Sequence, residues 1–542
     1  MTSRGATLIA GVLALLALAA PIRAQLMLYQ VDGAQPGDGF GTSLAPIGDL
    51  DHDGAMDFAV GAPRHDFEGI DAGRVAVYSG TTGRMLLEIL GNAHDKLGHS
   101  VAPAYDLNGD GEGDVIAGAP GAFTNDGRAY VFALPSGTLL ASKFPLADNE
   151  LFGTQVAGLG EISGDGVPDY GVATAQTLVF GTPYPGCFET YSGAGGVISL
   201  PGSCGTSVHD AARDVNGDGR FDFLTSDSGL LASVPNTVQL RNGGTYAILD
   251  ELTDDALHSG VRGFPSRDFD GDGRPDYLFT YSDPGVARVA QIRRIPAGGS
   301  PEVVTEIAVS STQFGSIGNI ERARCADVSG DGTLDVLLGF PFANTASGPD
   351  SGTLLAFDGL PPHELLFRID GTNAFAEFPT SLAVLGDLDG NGTEEFAVGV
   401  PYPPSAPGQV RVYTWPRWQT AWAEYGPPLV GLTVPHLSGQ GLPAPRSGIV
   451  LVGDELFPAA PSLLVVGLGA QMLLFKGGFL LVTPDLLLGP FPTSLAGTLA
   501  LPGALPAGVP PGLQLHFQLW IQDPNTPAGW AATNGLQATI QP

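Results

Sequence analysis

Residues 48–63 read GDLDHDGAMDFAVGAP. Asp49, Asp51 and Asp53 alternate, Gly54 follows, Asp57 comes four residues after Asp53, and an apolar run then ends in Gly-Ala-Pro. Carboxylates held this close repel one another unless a positive charge lies among them. Calcium takes about six to eight oxygens at ~2.3–2.6 Å. A loop offering side-chain oxygens at positions 1, 3 and 5, with glycine at 6, can turn tightly around one such ion. Position 7, Ala55, would add a backbone carbonyl, and position 9, Asp57, another carboxylate.

The pattern occurs seven times. After the first loop come Asp106-Asn108-Asp110-Gly111-Asp114, Glu161-Ser163-Asp165-Gly166-Asp169 and Asp214-Asn216-Asp218-Gly219-Asp222. Then follow Asp268-Asp270-Asp272-Gly273-Asp276, Asp327-Ser329-Asp331-Gly332-Asp335 and Asp387-Asp389-Asn391-Gly392-Glu395. Position 7 in the last six is Glu112, Val167, Arg220, Arg274, Thr333 and Thr393, each expected to offer its carbonyl. First members lie 57, 55, 53, 54, 59 and 60 residues apart, and positions 1, 3, 5 and 9 of the loops hold 23 of the 56 acidic residues. Such order is foreign to a generic solvated surface, although Asx-rich turns without metal share part of the signature. The first and fifth loops, with four aspartates each, are expected to hold calcium best; the third, with Glu161 and Ser163, least.

An EF-hand would close with glutamate at position 12 between helices. Here position 12 is Val60, Ala117, Val172, Thr225, Phe279, Leu338 or Val398, and the flanks (MDFAVGA, LDVLLGF, EEFAVGV) read as strands. The first unit parses into four: Thr42–Ile47, Met56–Ala62, Arg74–Ser79 and Arg84–Leu90. Four short antiparallel strands that cannot bury both faces alone describe a propeller blade. QLMLYQVDG at 25–33 resembles the fourth-strand segments RMLLEILG (84–91) and HELLFRIDG (363–371), yet precedes the first loop. The seventh unit lacks a fourth strand. The expectation is an all-β chain: a seven-bladed β-propeller over 25–415, its N-terminal strand closing the last blade, followed by a C-terminal β-sandwich-like domain over 416–542.

Phe40-Gly41 with Gly61-Ala62-Pro63, Leu97-Gly98 with Gly118-Ala119-Pro120, Phe152-Gly153, Phe314-Gly315 with Gly339-Phe340-Pro341, and Gly399-Val400-Pro401 resemble the FG-GAP repeats of integrin α-subunit propellers and related secreted proteins. The resemblance covers about residues 25–415, and units three to five lack the Gly-Ala-Pro part. It implies calcium loops on one face of the ring and a ligand-facing surface on the other. That surface would include Arg64–Gly73, Ala122–Gly127 and Phe342–Gly352, with Phe180–Gly196 a further candidate.

Residues 1–24 carry one early arginine, an apolar run from Leu8 to Ala20 and a short exit ending in alanine, the pattern of a secretory signal peptide. The run is shorter than a membrane span requires, so a secreted or cell-surface protein with no span after cleavage is expected. Cysteines stand at 187, 204 and 325; an oxidising compartment permits a Cys187–Cys204 bridge, and a disulfide scaffold is excluded by number. Lys+Arg 24 against Asp+Glu 56 gives −32, which disfavours nucleic acid and anionic membranes and favours a cation.

Beyond Pro416 the acidic loops stop, and short apolar segments punctuated by Gly or Pro read as strands. Leu463–Val482 is interrupted by Gln471, Lys476 and Gly477-Gly478, which suits two buried strands rather than a transmembrane helix. No His-x-x-x-His pair and no Gly-x-Ser-x-Gly elbow is present. The favoured expectation is a non-catalytic, calcium-binding propeller that displays loops for adhesion to an extracellular protein or glycan. The alternative is a polysaccharide-acting hydrolase or lyase using the channel face.

Overall fold

In the computed structural model the apolar segment after five of the seven acidic loops is a strand buried along its whole length: Asp57–Ala62, Asp114–Ala119, Asp169–Ala173, Asp335–Phe340 and Glu395–Val400. A strand covered on both faces has no solvent side to supply polar alternation, which is why these segments read as continuous apolar runs. The structure describes residues 26–145, 151–174, 177–179, 182–184, 187–198, 206–227, 236–255, 259–283, 287–310, 314, 317–402, 406–414, 422–430, 433–440, 448–476, 478–504, 513–526 and 528–540. The proposed signal peptide, residues 1–24, lies outside them.

Each buried strand is the second of a four-stranded antiparallel sheet, and there are seven such sheets among the described residues. Blade one is Ser43–Gly48, Asp57–Ala62, Arg74–Tyr78 and Met85–Leu90. Blades two to six repeat this order along the chain. Blade seven takes Ser381–Gly386, Glu395–Val400 and Pro407–Thr414 from the end of the ring, and its outer strand, Leu26–Pro36, from the beginning. Leu26 pairs with Thr414 and Val31 with Val410, so the N-terminal strand closes the last blade and removes an unpaired edge. Among the described residues helix is found only at Ala122–Asn125 and at Phe314.

Apolar side chains are pooled between blades rather than within them. One cluster joins blades one and two through Val75, Val77, Val115 and Ala117. Another joins blades five and six through Leu278, Ile292, Val336 and Leu338, and one joins seven and one through Val410, Val412, Phe58 and Val60. This last cluster makes the array a ring. The FG-GAP residues set the spacing of neighbours. A Cβ on Gly61 would lie 1.9 Å from the Gly98 carbonyl oxygen of the next blade, and one on Gly399 would lie 2.0 Å from that of Gly41. Only glycine permits that approach. Phe40, Phe152 and Phe378 are fully buried beside these contacts.

The chain divides into two compact units, Met1–Trp415 and Pro416–Pro542. The second is also all-β. It holds a sheet in the order Trp422–Tyr425, Gly535–Thr539, Gln514–Gln522, Pro461–Gly467 and Leu486–Pro492, a three-stranded sheet of His436–Gln440, Gly448–Asp454 and Leu499–Ala504, and a hairpin. The stretch read as two buried strands, Leu463–Val482, is instead Pro461–Gly467, Ala470–Phe475 and Gly478–Val482, the middle one exposed. Glycines at 467, 469 and 478 mark the turns. Among the described residues no helix is long and apolar enough to cross a membrane.

Candidate metal centre

All seven acidic loops close in the same way. The N–H of the position-6 glycine donates to the position-1 carboxylate at 2.6–2.9 Å in every loop, from Gly54 to Asp49 through Gly392 to Asp387. The position-7 N–H donates to the position-5 side chain at 2.7–3.0 Å. The glycine itself has φ between +82° and +95° in all seven, a region that side chains avoid. Repeated N–H donation turns the carboxylates of one loop toward a common centre. Ligand oxygens lie within 4.8 Å of one another in three groups: Asp49, Asp51 and Asp53; Asp268, Asp270 and Asp276; and Asp387, Asp389 and Glu395.

The position-9 acid is fully buried in every loop: Asp57, Asp114, Asp169, Asp222, Asp276, Asp335 and Glu395. One of its oxygens accepts from the start of its own loop, as from Leu50 to Asp57 at 2.7 Å and Phe269 to Asp276 at 2.7 Å. The other accepts from the turn between the third and fourth strands, as from Gly80 to Asp57 at 2.9 Å and Gly243 to Asp222 at 3.2 Å. The acid thus ties the two turns of a blade that lie at the same end. In blade five no such donor is present: by register the equivalent residue is Ile295, and Asp276 Oδ1 is buried with no partner. Asp51 Oδ1 is likewise buried and unpartnered.

Burial pushes Asp114 up to about 6 and Asp222, Asp276, Asp335 and Glu395 up to about 7. It raises Asp57 and Asp169 as well, against the pull of their backbone donors. For Asp276 the charges of Asp270 and Asp272 add to the effect. Carboxylates so placed need a proton or a cation. The donor set contains only oxygen, and two of its buried oxygens lack donors, so the residues fit a hard divalent ion.

Two position-7 residues read from sequence only as carbonyl donors also use their side chains. Arg220 Nη1 donates to the Ile162 carbonyl in the preceding blade's loop at 2.9 Å, and Arg274 Nη1 to that of Asn216 at 2.6 Å. These contacts link loops three, four and five. Arg267 makes a two-pronged ion pair with Glu394 across the ring, and Arg293 a similar one with Asp250, into which Tyr277 also donates. No spacing rule flagged these pairs, since the partners lie 43 to 127 residues apart.

Antiparallel strands place the second-to-third connections at the end opposite the acidic loops. There Phe67 is 71 % exposed, Phe123 60 % and Phe342 49 %, each shortly after the Gly-Ala-Pro or Gly-Phe-Pro of its blade. The Arg128 guanidinium lies 3.8 Å from the Phe123 ring centroid, and His65 stacks on Phe67. Part of Phe180–Gly196, residues 180–181 and 185–186, lies outside the described residues. Cys187 is disulfide-bonded and Cys325 is free and buried; Cys204 lies outside the described residues.

Seven four-stranded blades, each opening on an acidic loop, define the class: a repeat β-propeller with candidate cation loops on one face. The FG-GAP repeat model matches residues 40–78, 97–132 and 378–415, and the FG-GAP-like repeat model matches 268–338. The chain carries FG-GAP repeats and resembles the integrin α-subunit propeller. Mouse integrin alpha-X is 30 % identical over 164 residues, covering 27 % of this chain and 14 % of that one. Human integrin alpha-E is 35 % identical over 173 residues (28 % and 14 %), and Xenopus laevis integrin alpha-5 is 28 % identical over 239 (38 % and 21 %). The chain therefore spans about a fifth or less of these relatives. Among solved structures, the Dos1 propeller aligns with TM-score 0.35 and 12 % identity over 66 % of this chain and 74 % of that one.

Proposed function

We propose that this protein is an exported, calcium-stabilised propeller that binds an extracellular protein or glycan through the loop face opposite its acidic loops, and so serves adhesion. The observation that carries the calcium part is the buried, donor-less Asp276 Oδ1 within a cluster of three carboxylates. Asp49, Asp51, Asp53 and Asp57, with their counterparts in the other loops, would hold the ion, and the position-7 carbonyls would complete its shell. The ion supplies charge compensation, not chemistry on a substrate. The likeness to integrin α-subunits and the exposed Phe67, Phe123 and Phe342 support the adhesive part, since aromatic side chains on a rigid loop surface make effective binding anchors. The catalytic alternative has less support: among the described residues the one carboxylate lining the channel, Glu394, is held by Arg267.

Two measurements test the reading. A thermal melt of the chelated chain, titrated with calcium against a magnesium control, should show a calcium-specific rise in midpoint; no rise removes the metal. Binding of the calcium-loaded chain to immobilised glycan and matrix-protein panels should give a signal that a Phe67→Ala, Phe123→Ala, Phe342→Ala triple variant loses. A signal left intact by that variant would move the ligand surface elsewhere.

A further inference from the structure

A cavity of about 440 Å³ occupies the axis of the ring, lined by the first strands of all seven blades. Its charged lining among the described residues is Arg213, Arg267, Arg324 and Glu394: three guanidiniums and one carboxylate. In a chain of net charge −32 this is a local reversal of sign. Glu394 is taken by Arg267. The one ion pair that flanks these residues along the same strands, Arg262 with Glu321, is itself balanced. Arg213 is exposed, and no carboxylate among the described residues pairs with it.

The backbone adds an independent observation. The residue just before position 1 of the acidic loop sits at a register shift in blades one, two, three, four and seven. It has positive φ in each, and is glycine in three: Gly48 (100°), Gly160 (64°) and Gly386 (75°). In the other two it is Tyr105 (59°) and Arg213 (58°), and both line the cavity. Left-handed backbone is costly for a residue with a side chain and is kept where the side chain serves something. Arg213 is thus an arginine held in a glycine conformation at the channel lining, which also includes two more arginines.

We infer that the central channel is an anion site, built by Arg213 with Arg324 for a small dianionic or polyanionic ligand bearing carboxylate or sulfate-type oxyanions. The guanidinium fork matches such groups with two parallel N–H donors, and low-dielectric walls concentrate the field of the excess positive charge. This site is separate from the calcium loops and from the aromatic loop face, and its failure would leave the reading of both intact.

The test uses the full chain in saturating calcium, with sodium sulfate and sodium succinate as probes and sodium chloride at matched ionic strength as reference. Calorimetry should give saturable 1:1 binding of at least one dianion, with a rise in melting midpoint that chloride does not produce. Sulfate alone would assign an inorganic-type oxyanion, and succinate a carboxylate ligand. Arg213→Gly keeps the backbone conformation found in three sister blades, so it should melt like the wild type in chloride while weakening the dianion roughly tenfold or more. Arg324→Gln should weaken it similarly. No saturable binding of either probe, or wild-type binding by Arg213→Gly, would overturn the inference.

Discussion

Ile295 stands, by register, at the turn position from which Gly80 donates to Asp57 and Gly243 to Asp222, yet it does not reach Asp276, whose buried Oδ1 is left without a donor. The fifth loop is therefore the one whose buried acid depends most on a cation. Asp276→Asn removes the charge and keeps the shape. The chelated variant is expected to melt higher than the chelated wild type, and its rise on adding calcium should be smaller. At saturating calcium each tenfold loss in site affinity removes about 1.4 kcal/mol of the linked stabilisation. Paired melts with and without chelator check this; an unchanged calcium increment would show that the fifth loop is a turn only.

The raised position-9 acids fix the pH dependence of the chelated protein. Each binds its proton more tightly when folded, near 6 for Asp114 and near 7 for Asp222, Asp276, Asp335 and Glu395, than in the unfolded chain, near 3.8 for Asp and 4.5 for Glu. Their contribution is present in full at pH below about 4 and is lost as pH rises through 6 and 7. Chelated protein should accordingly melt lower at pH 8 than at pH 5. Saturating calcium, which favours the ionised carboxylates, should flatten or reverse that slope. Melts across pH 5 to 8 in both conditions decide it, and a calcium-independent slope would remove these acids from the account.

Closure of the ring makes two separable demands. Gly399→Ala would drive a Cβ to 2.0 Å from the Gly41 carbonyl oxygen, where the Ser381 hydroxyl already donates at 2.8 Å. A cost of at least roughly 1–3 kcal/mol is expected from overpacking alone. Deleting residues 25–36 would instead expose the edge of Pro407–Thr414, which that strand covers. The deleted protein should both melt lower and self-associate, as unpaired edges do. Light scattering and denaturant titration separate the outcomes; a monomeric deletion mutant of wild-type stability would mean that the strand is dispensable to the ring.

Much of this architecture could be read directly from the repeat. A spacing of 53 to 60 residues and the likeness of 25–33 to later fourth strands were enough to place seven blades and the closing strand, because both depend on local pattern. The seven turns were legible for the same reason: glycine at position 6 is demanded by φ alone. The rest depends on three dimensions. Asp57 reads as one more ligand, while its burial and its tie to Gly80 appear only when two turns 23 residues apart meet. Arg220 and Arg274 were read by their carbonyls, yet their side chains reach the neighbouring blade. The channel arginines are scattered singly through blades four, five and six, and only closure of the ring brings Arg213, Arg267 and Arg324 to one cavity.

Cys325 lies on the channel wall of blade six and is 6 % exposed. Burial pushes its thiol up to about 12, so at neutral pH it carries almost no thiolate, the form that reacts. A water-soluble disulfide reagent should therefore report no thiol in the native protein, and one on unfolding without reductant. The same number has a structural meaning. The side chain packs with Leu338, Leu355 and Ile320 in the cluster between blades five and six, so although the residue lines the channel, the reagent reaches its sulfur only when that packing loosens. The labelling rate in the native state thus reports opening of the ring, and it should slow further as calcium is added. Rapid labelling of the folded, calcium-loaded chain would show that the seam between blades five and six opens far more readily than its packing implies.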